Sequence, residues 1–109
     1  MSNKEIKEYD KNNNLIYFKN QNGSEFWQEY DEKGNLIYFK SSTGFEQWYK
    51  YDENNNKIYS KNSNNEEYWY KYDEDNKRVR ITHQEFKQIE RIKLYLNNKK
   101  ISRFEIMDI

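Results

Sequence analysis

The sequence predicts an all-β fold: an antiparallel meander of four 21-residue β-hairpin repeats, strongly twisted or curled, ending in a divergent C-terminal hairpin or short helix as a cap. Three observations carry that prediction. The dipeptide Tyr-Asp recurs at Tyr9-Asp10, Tyr30-Asp31, Tyr51-Asp52 and Tyr72-Asp73, 21 residues apart each time. Gly or Asn, the residues that tolerate positive φ, fall at Asn13, Gly23, Gly34, Gly44, Asn55, Asn65 and Asn76, in steps of ten or eleven residues. Between these points lie segments of about six residues rich in Tyr, Trp, Phe and Ile, which suit strands better than helices.

The first repeat, about residues 5–23, sets Ile6 before the Asp10 turn and Ile16 and Phe18 after it. In the second, about 24–44, Trp27 precedes Asp31, and Ile37 and Phe39 follow Gly34. An Asp three residues before Gly matches a type I turn that closes with a left-handed residue. Its carboxylate can accept bonds from the turn's N–H groups, which explains Asp10, Asp31, Asp52 and Asp73 without assigning them chemistry. The third repeat, about 45–65, carries Trp48 and Ile58; the fourth, about 66–82, carries Trp69, Val79 and Ile81.

Residues 83–109 form the cap, and two readings compete for it. The preferred one lays "RIKLYLNNKKISRFEI" on "WYKYDEDNKRVRI" as a fifth hairpin that shields an edge, with "NNKK" as its turn. In the other, "THQE" is a capping box that opens a helix with Phe86, Ile89, Ile92 and Leu96 on one face.

If Asp31 pairs with Asn35, Trp27 lies opposite Phe39 and Glu29 opposite Ile37. One face then gathers Ile6, Ile16, Phe18, Trp27, Ile37, Phe39, Trp48, Ile58, Trp69, Val79 and Ile81 as the core. The other gathers Tyr9, Tyr17, Tyr30, Tyr38, Tyr49, Tyr51, Tyr59, Tyr68, Tyr70 and Tyr72, with Lys19, Lys40, Lys61, Arg78 and Arg80. Indoles and phenols are expected on opposite sides of one ribbon.

The series "YDEKGNLIYFKSSTG" resembles the YD repeats of Rhs and teneurin-type proteins, over about residues 5–82. In that family the repeats are consecutive β-hairpins forming a curved sheet around a secreted toxin. Here Asn35, not Arg, follows Gly34, and a 109-residue chain is too short to enclose a cargo. What the resemblance implies is the hairpin architecture.

Nineteen basic and nineteen acidic residues give zero net charge, without the overall positive field of a general nucleic-acid or anionic-membrane binder. With no Cys, disulfides and thiolate zinc sites are excluded. The opening "MSNKEIKEYDKNNN" has no apolar signal region, so a single cytoplasmic domain without membrane contact is expected. His83 is the sole histidine, and "DEDN" at Asp73–Asn76 lacks the Gly and distal Glu of a calcium loop. Glu8, Glu29, Glu46, Glu66 and Glu67 read as partners for lysines such as Lys50 and Lys71. No catalytic, cofactor-binding or metal-binding residue is expected, and no enzyme.

The function expected is a protein-binding module that inhibits or antagonises another protein, such as a toxin or a defence nuclease. An immunity protein or a phage anti-defence (anti-CRISPR) protein would be of this type. Its binding face would be Tyr30, Tyr38, Tyr49, Tyr51, Tyr59, Tyr68, Tyr70, Tyr72, Arg78 and Arg80, since tyrosine gives rigid contact area with a polar tip. Two alternatives stand beside it. One is nucleic-acid or glycan binding by aromatic stacking, aided by Arg78, Arg80, Lys87, Arg91, Lys93, Lys99, Lys100 and Arg103. The other is a purely structural repeat. Oligomerisation is compatible with each.

Overall fold

The computed structural model describes residues 4–99. Its strands are β1 (Ile6–Tyr9), β2 (Leu15–Lys19), β3 (Glu25–Tyr30), β4 (Leu36–Ser41), β5 (Glu46–Tyr51), β6 (Lys57–Asn62), β7 (Glu67–Tyr72) and β8 (Arg78–Ile81), followed by helix α1 (His83–Lys99). The strands form one sheet in the order β1 to β8, each beside its chain neighbours, an open meander that is mostly antiparallel. By contacts the chain divides into two compact units, one up to Tyr68 and one from Trp69 onward.

Seven reversals connect the strands, and each contains one residue with positive φ: Asn13, Gly23, Gly34, Gly44, Asn55, Asn65 and Asn76. At the second Tyr-Asp, Gly34 N–H donates to the Asp31 carbonyl at 3.1 Å, and Asp31 N–H to the Asn35 carbonyl at 2.9 Å. The Asp31 carboxylate accepts from Lys33 N–H and Asn35 N–H, both at 2.9 Å. Asp10, Asp52 and Asp73 accept the corresponding pairs of N–H bonds. Asn20 and Asn62 play the same part with an amide oxygen in the turns between β2 and β3 and between β6 and β7. Backbone N–H donation from Asn14 and from Asn35 holds the carboxyls of Asp10 and Asp31 below the ordinary carboxylate range.

The expected register needs correction in the first three hairpins. Asp31 does exchange a bond with Asn35, and Tyr30 pairs with Leu36, but Glu29 pairs with Tyr38. Ile37 is therefore the extra residue of a β-bulge, and Trp27 faces Lys40 instead of Phe39. The same shift skips Ile16 between β1 and β2 and Ile58 between β5 and β6. In the fourth hairpin no shift occurs: Trp69 pairs with Ile81 and Lys71 with Val79, as expected.

The fifth hairpin is not formed. Residues 83–99 are a 17-residue helix, so the fold is a sheet with a C-terminal helix and not purely β. Glu85 N–H donates to Thr82 Oγ1 at 3.1 Å and Phe86 N–H to the Thr82 carbonyl at 3.0 Å, the N-cap that "THQE" encodes. Phe86, Ile89, Ile92 and Leu96 are half-buried along one side, while Leu94 and Tyr95 are exposed. No Gly or Pro interrupts this stretch, and good helix formers fill it, so nothing local opposes the capped helix. Lys100–Ile109, the second half of the expected hairpin, lie outside the described residues. The only described apolar residue that is fully buried is Ile81, at 8% exposure.

The turns can be tested separately from the faces. At Gly34 a Cβ would meet open space, so only backbone strain acts against one there. Gly34→Ala is expected to cost about 1–2 kcal/mol in urea denaturation, the strain of a left-handed residue with a Cβ. Asn55→Gly keeps the left-handed backbone and loses only the exposed bond from Asn35 Nδ2 at 2.9 Å, so it is expected to cost less than Gly34→Ala. An unchanged midpoint for Gly34→Ala would contradict the turn geometry.

Candidate functional site

Residues paired across an antiparallel ladder share a face, and neighbours along a strand alternate. Applied to the observed register, this builds a repeated cross-strand row. Glu8, Tyr17, Trp27 and Lys40 follow one another on β1 to β4. Glu29, Tyr38, Trp48 and Lys61 repeat the row on β3 to β6. Lys50 and Tyr59 begin a third on β5 and β6.

Within these rows the rings touch. Tyr17 and Trp27 have centroids 5.7 Å apart at 43°, and Tyr38 and Trp48 5.7 Å apart at 45°. The phenols are tied to carboxylates on the next strand. Tyr17 donates to Glu25 Oε2, Tyr38 to Glu46 Oε2 at 2.5 Å, and Tyr59 to Glu67 Oε2 at 2.6 Å. Lys50 Nζ stands 5.2 Å from the Tyr59 ring. The sequence carries a signal for these carboxylates: Tyr and Glu stand eight residues apart three times.

The opposite face is a phenylalanine face. Phe18 stacks on Phe26 at 5.1 Å, and Phe26 meets Phe39 at 5.6 Å. Tyr30 belongs here, its hydroxyl donating to the Leu15 carbonyl at 2.9 Å; Tyr51 does the same to Leu36 at 2.7 Å. Tyr49 donates to Gln47 Oε1 at 2.5 Å and lies under Lys57 Nζ at 4.2 Å. An open groove of about 550 Å³ runs between the Asp31 and Asp52 turns, walled by Tyr30 and Tyr51 and rimmed by Glu32, Lys33 and Glu53.

The ten residues expected to form one binding face are therefore divided. Tyr38 and Tyr59 lie with the tryptophans of the first unit, whereas Tyr30, Tyr49 and Tyr51 lie on the phenylalanine face. Tyr68 donates to Glu66 at 3.2 Å. In the second unit Tyr70 and Tyr72 pair with Arg80 and Arg78, on the face away from Trp69, and the Arg78 guanidinium sits 4.6 Å over the Tyr70 ring. The expected separation of indoles from phenols is corrected: Trp27 and Trp48 pack on tyrosines. The bulges cause this by moving Tyr17, Tyr38 and Tyr59 across the sheet.

Trp69 stacks on His83 at 4.4 Å and 13°, and Lys71 Nζ bonds Glu85 at 2.8 Å, so β7 holds the first turn of α1 by two contacts. Of the basic residues expected to gather at the C-terminal end, Lys87 and Arg91 are exposed on α1 and Lys93 bonds Glu90 at 3.6 Å. Lys100 and Arg103 lie outside the described residues. Among the described residues no group of His, Asp and Glu could hold a metal ion, and no helix is long and apolar enough to cross a membrane.

The phenol–carboxylate pairs set a pH signature. Hydrogen bonding to Glu25 and to Glu46 pushes the phenols of Tyr17 and Tyr38 up to about 12, and burial with the Glu67 bond does the same to Tyr59. A phenol whose folded pKa exceeds the unfolded 10.0 favours the folded state below pH 10. That contribution is lost as pH rises towards 12. Stability is expected to fall over this window, with late phenolate absorbance for three tyrosines. Glu46→Gln should bring one of the late-titrating phenols back towards the ordinary value; no change would contradict the Tyr38–Glu46 bond.

No protein-family model matches this chain, and no curated protein matches it.

Proposed function

We propose that the chain is a non-enzymatic protein-binding module that antagonises another protein by laying the Tyr–Trp face of its sheet against it. In this reading the meander is four copies of a 21-residue hairpin unit of the YD-repeat type. Successive Glu–Tyr–Trp–Lys rows then step across the sheet by two strands, about 10 Å. The observation that carries the reading is how little the chain buries by itself. Among the described residues Ile81 alone of the apolar side chains is buried, and Trp27 keeps 37% of its surface exposed. Rows of half-covered rings bounded by opposite charges resemble the anchors and polar rim of a protein interface.

A bacterial toxin or a defence nuclease is the class of target this chemistry suits, making the chain an immunity or anti-defence protein. Binding by Trp27 and Trp48 at the centre of the rows should depend little on salt, unlike phosphate contacts, whose affinity falls steeply as salt rises.

The test is capture of a target by the immobilised chain, followed by affinity measurement with variants. Trp27→Ala with Trp48→Ala should weaken binding at least tenfold, about 1.4 kcal/mol. Lys40→Glu with Lys61→Glu, at the row ends, tests the same face without removing a ring. If a target is held equally well by both double variants, this face is not the interface.

A further inference from the structure

Helix α1 has a second side that the half-buried row of Phe86, Ile89, Ile92 and Leu96 does not use. Lys87, Arg91 and Tyr95 follow at intervals of four residues, with Leu94 beside them, so all four lie on one stripe. Leu94 is 60% and Tyr95 51% exposed, and Lys87 and Arg91 are exposed and form no ion pair among the described residues. Two cations followed along the stripe by two bare apolar side chains make a docking surface suited to an acidic partner.

The chain itself carries the complement. Residues 1–68 hold nine Lys and Arg against twelve Asp and Glu, a net charge of −3; residues 69–109 hold ten against seven, a net of +3. The zero total therefore conceals two halves of opposite sign. In the acidic half, the groove between the Asp31 and Asp52 turns has Tyr30 and Tyr51 as walls and exposed Glu32 and Glu53 on its rim. Its one lining cation, Lys33, bonds the Glu53 carbonyl at 3.0 Å and keeps its charge, but Asp31, Glu32, Asp52 and Glu53 outnumber it. The two glutamates stand in equivalent turns two strands apart, about 10 Å. Lys87 and Arg91 stand one turn apart on α1, about 6 Å along its axis, and their long side chains can splay to the two glutamates.

We propose that the chain self-associates head to tail, the Lys87–Arg91–Leu94–Tyr95 stripe of one copy docking in the Tyr30–Tyr51 groove of a second. Lys87 and Arg91 meet Glu32 and Glu53, and Leu94 and Tyr95 cover the tyrosine walls. The contact joins two different surfaces, so it leaves a free groove at one end and a free stripe at the other. It adds copies in series unless the rotation closes a ring. Because the contact includes exposed charge pairs, salt weakens it. This inference is independent of the Tyr–Trp face and of any antagonised target.

Sedimentation velocity over a range of concentrations tests it. At low salt the mass should grow with concentration, and added salt should reverse the growth. Lys87→Glu with Arg91→Glu should remain monomeric, and so should Glu32→Lys with Glu53→Lys. An equimolar mixture of these two variants restores complementary charge at both contacts and should associate again, which also shows that each variant is folded. A wild-type chain that stays monomeric at every concentration overturns the proposal, and so does association unchanged by the reversals. A mixture that stays monomeric overturns it as well.

Discussion

A one-residue bulge beside each of the first three Tyr-Asp turns determines what the two sides of the sheet are made of. Without it, strict alternation from the turn would set Trp27 across from Phe39, and the rings would sort by type. With Ile16, Ile37 and Ile58 as extra residues, the strand beyond each turn changes its facing, and Tyr17, Tyr38 and Tyr59 cross to the opposite side. There they meet Trp27 and Trp48 and the carboxylates of Glu25, Glu46 and Glu67. The fourth hairpin has Arg80 where the others have tyrosine, and its register is regular. Trp69, in the indole position, packs on His83 at the start of the helix.

Stability in such a chain is assembled locally. With Ile81 as the one buried apolar residue described, the hydrophobic term that dominates larger domains is spread thinly over half-covered rings. Three kinds of contact compensate. Turn carboxylates and amides satisfy backbone N–H groups at each reversal except the one at Ser41, where two hydroxyls meet at 2.5 Å. Ring pairs bridge adjacent strands. Serine hydroxyls at Ser42 and Ser63 prolong the ladder by accepting from Glu25 and Glu46 N–H, both at 3.1 Å. The turn contacts join residues two to four positions apart, and the serine contacts span 17, from one hairpin to the next.

Chain reversal was legible in the sequence because it rests on single residues with a distinct physical property. Asn13, Gly34 and Asn55 adopt the left-handed backbone that their chemistry permits, and Asp31 accepts the bonds its spacing implied. A bulge has no such marker. Ile37 is an ordinary strand residue, and nothing in its own chemistry marks it as the extra one. The composition of each face therefore escaped the sequence, although the eight-residue Tyr–Glu spacing held the clue. At the C-terminal end Phe86, Ile89, Ile92 and Leu96 fitted a helix face as well as a strand alignment, and the Thr82 cap decided between them.

The two sides of the sheet differ in what they have left to offer a partner. On the phenylalanine side the tyrosine hydroxyls are spent within the chain: Tyr30 and Tyr51 on the carbonyls of Leu15 and Leu36, Tyr49 on Gln47. Tyr30 and Tyr51 act as struts between neighbouring strands, whereas Tyr49 bonds along its own strand. On the Tyr–Trp side the phenols spend their protons on Glu25, Glu46 and Glu67, and a carboxylate has a second oxygen able to accept from elsewhere. The indole N–H groups are donors by nature. This side therefore joins flat apolar area to both kinds of hydrogen-bonding group, repeated along the chain. A macromolecular surface can use that combination, and a tyrosine count cannot reveal it.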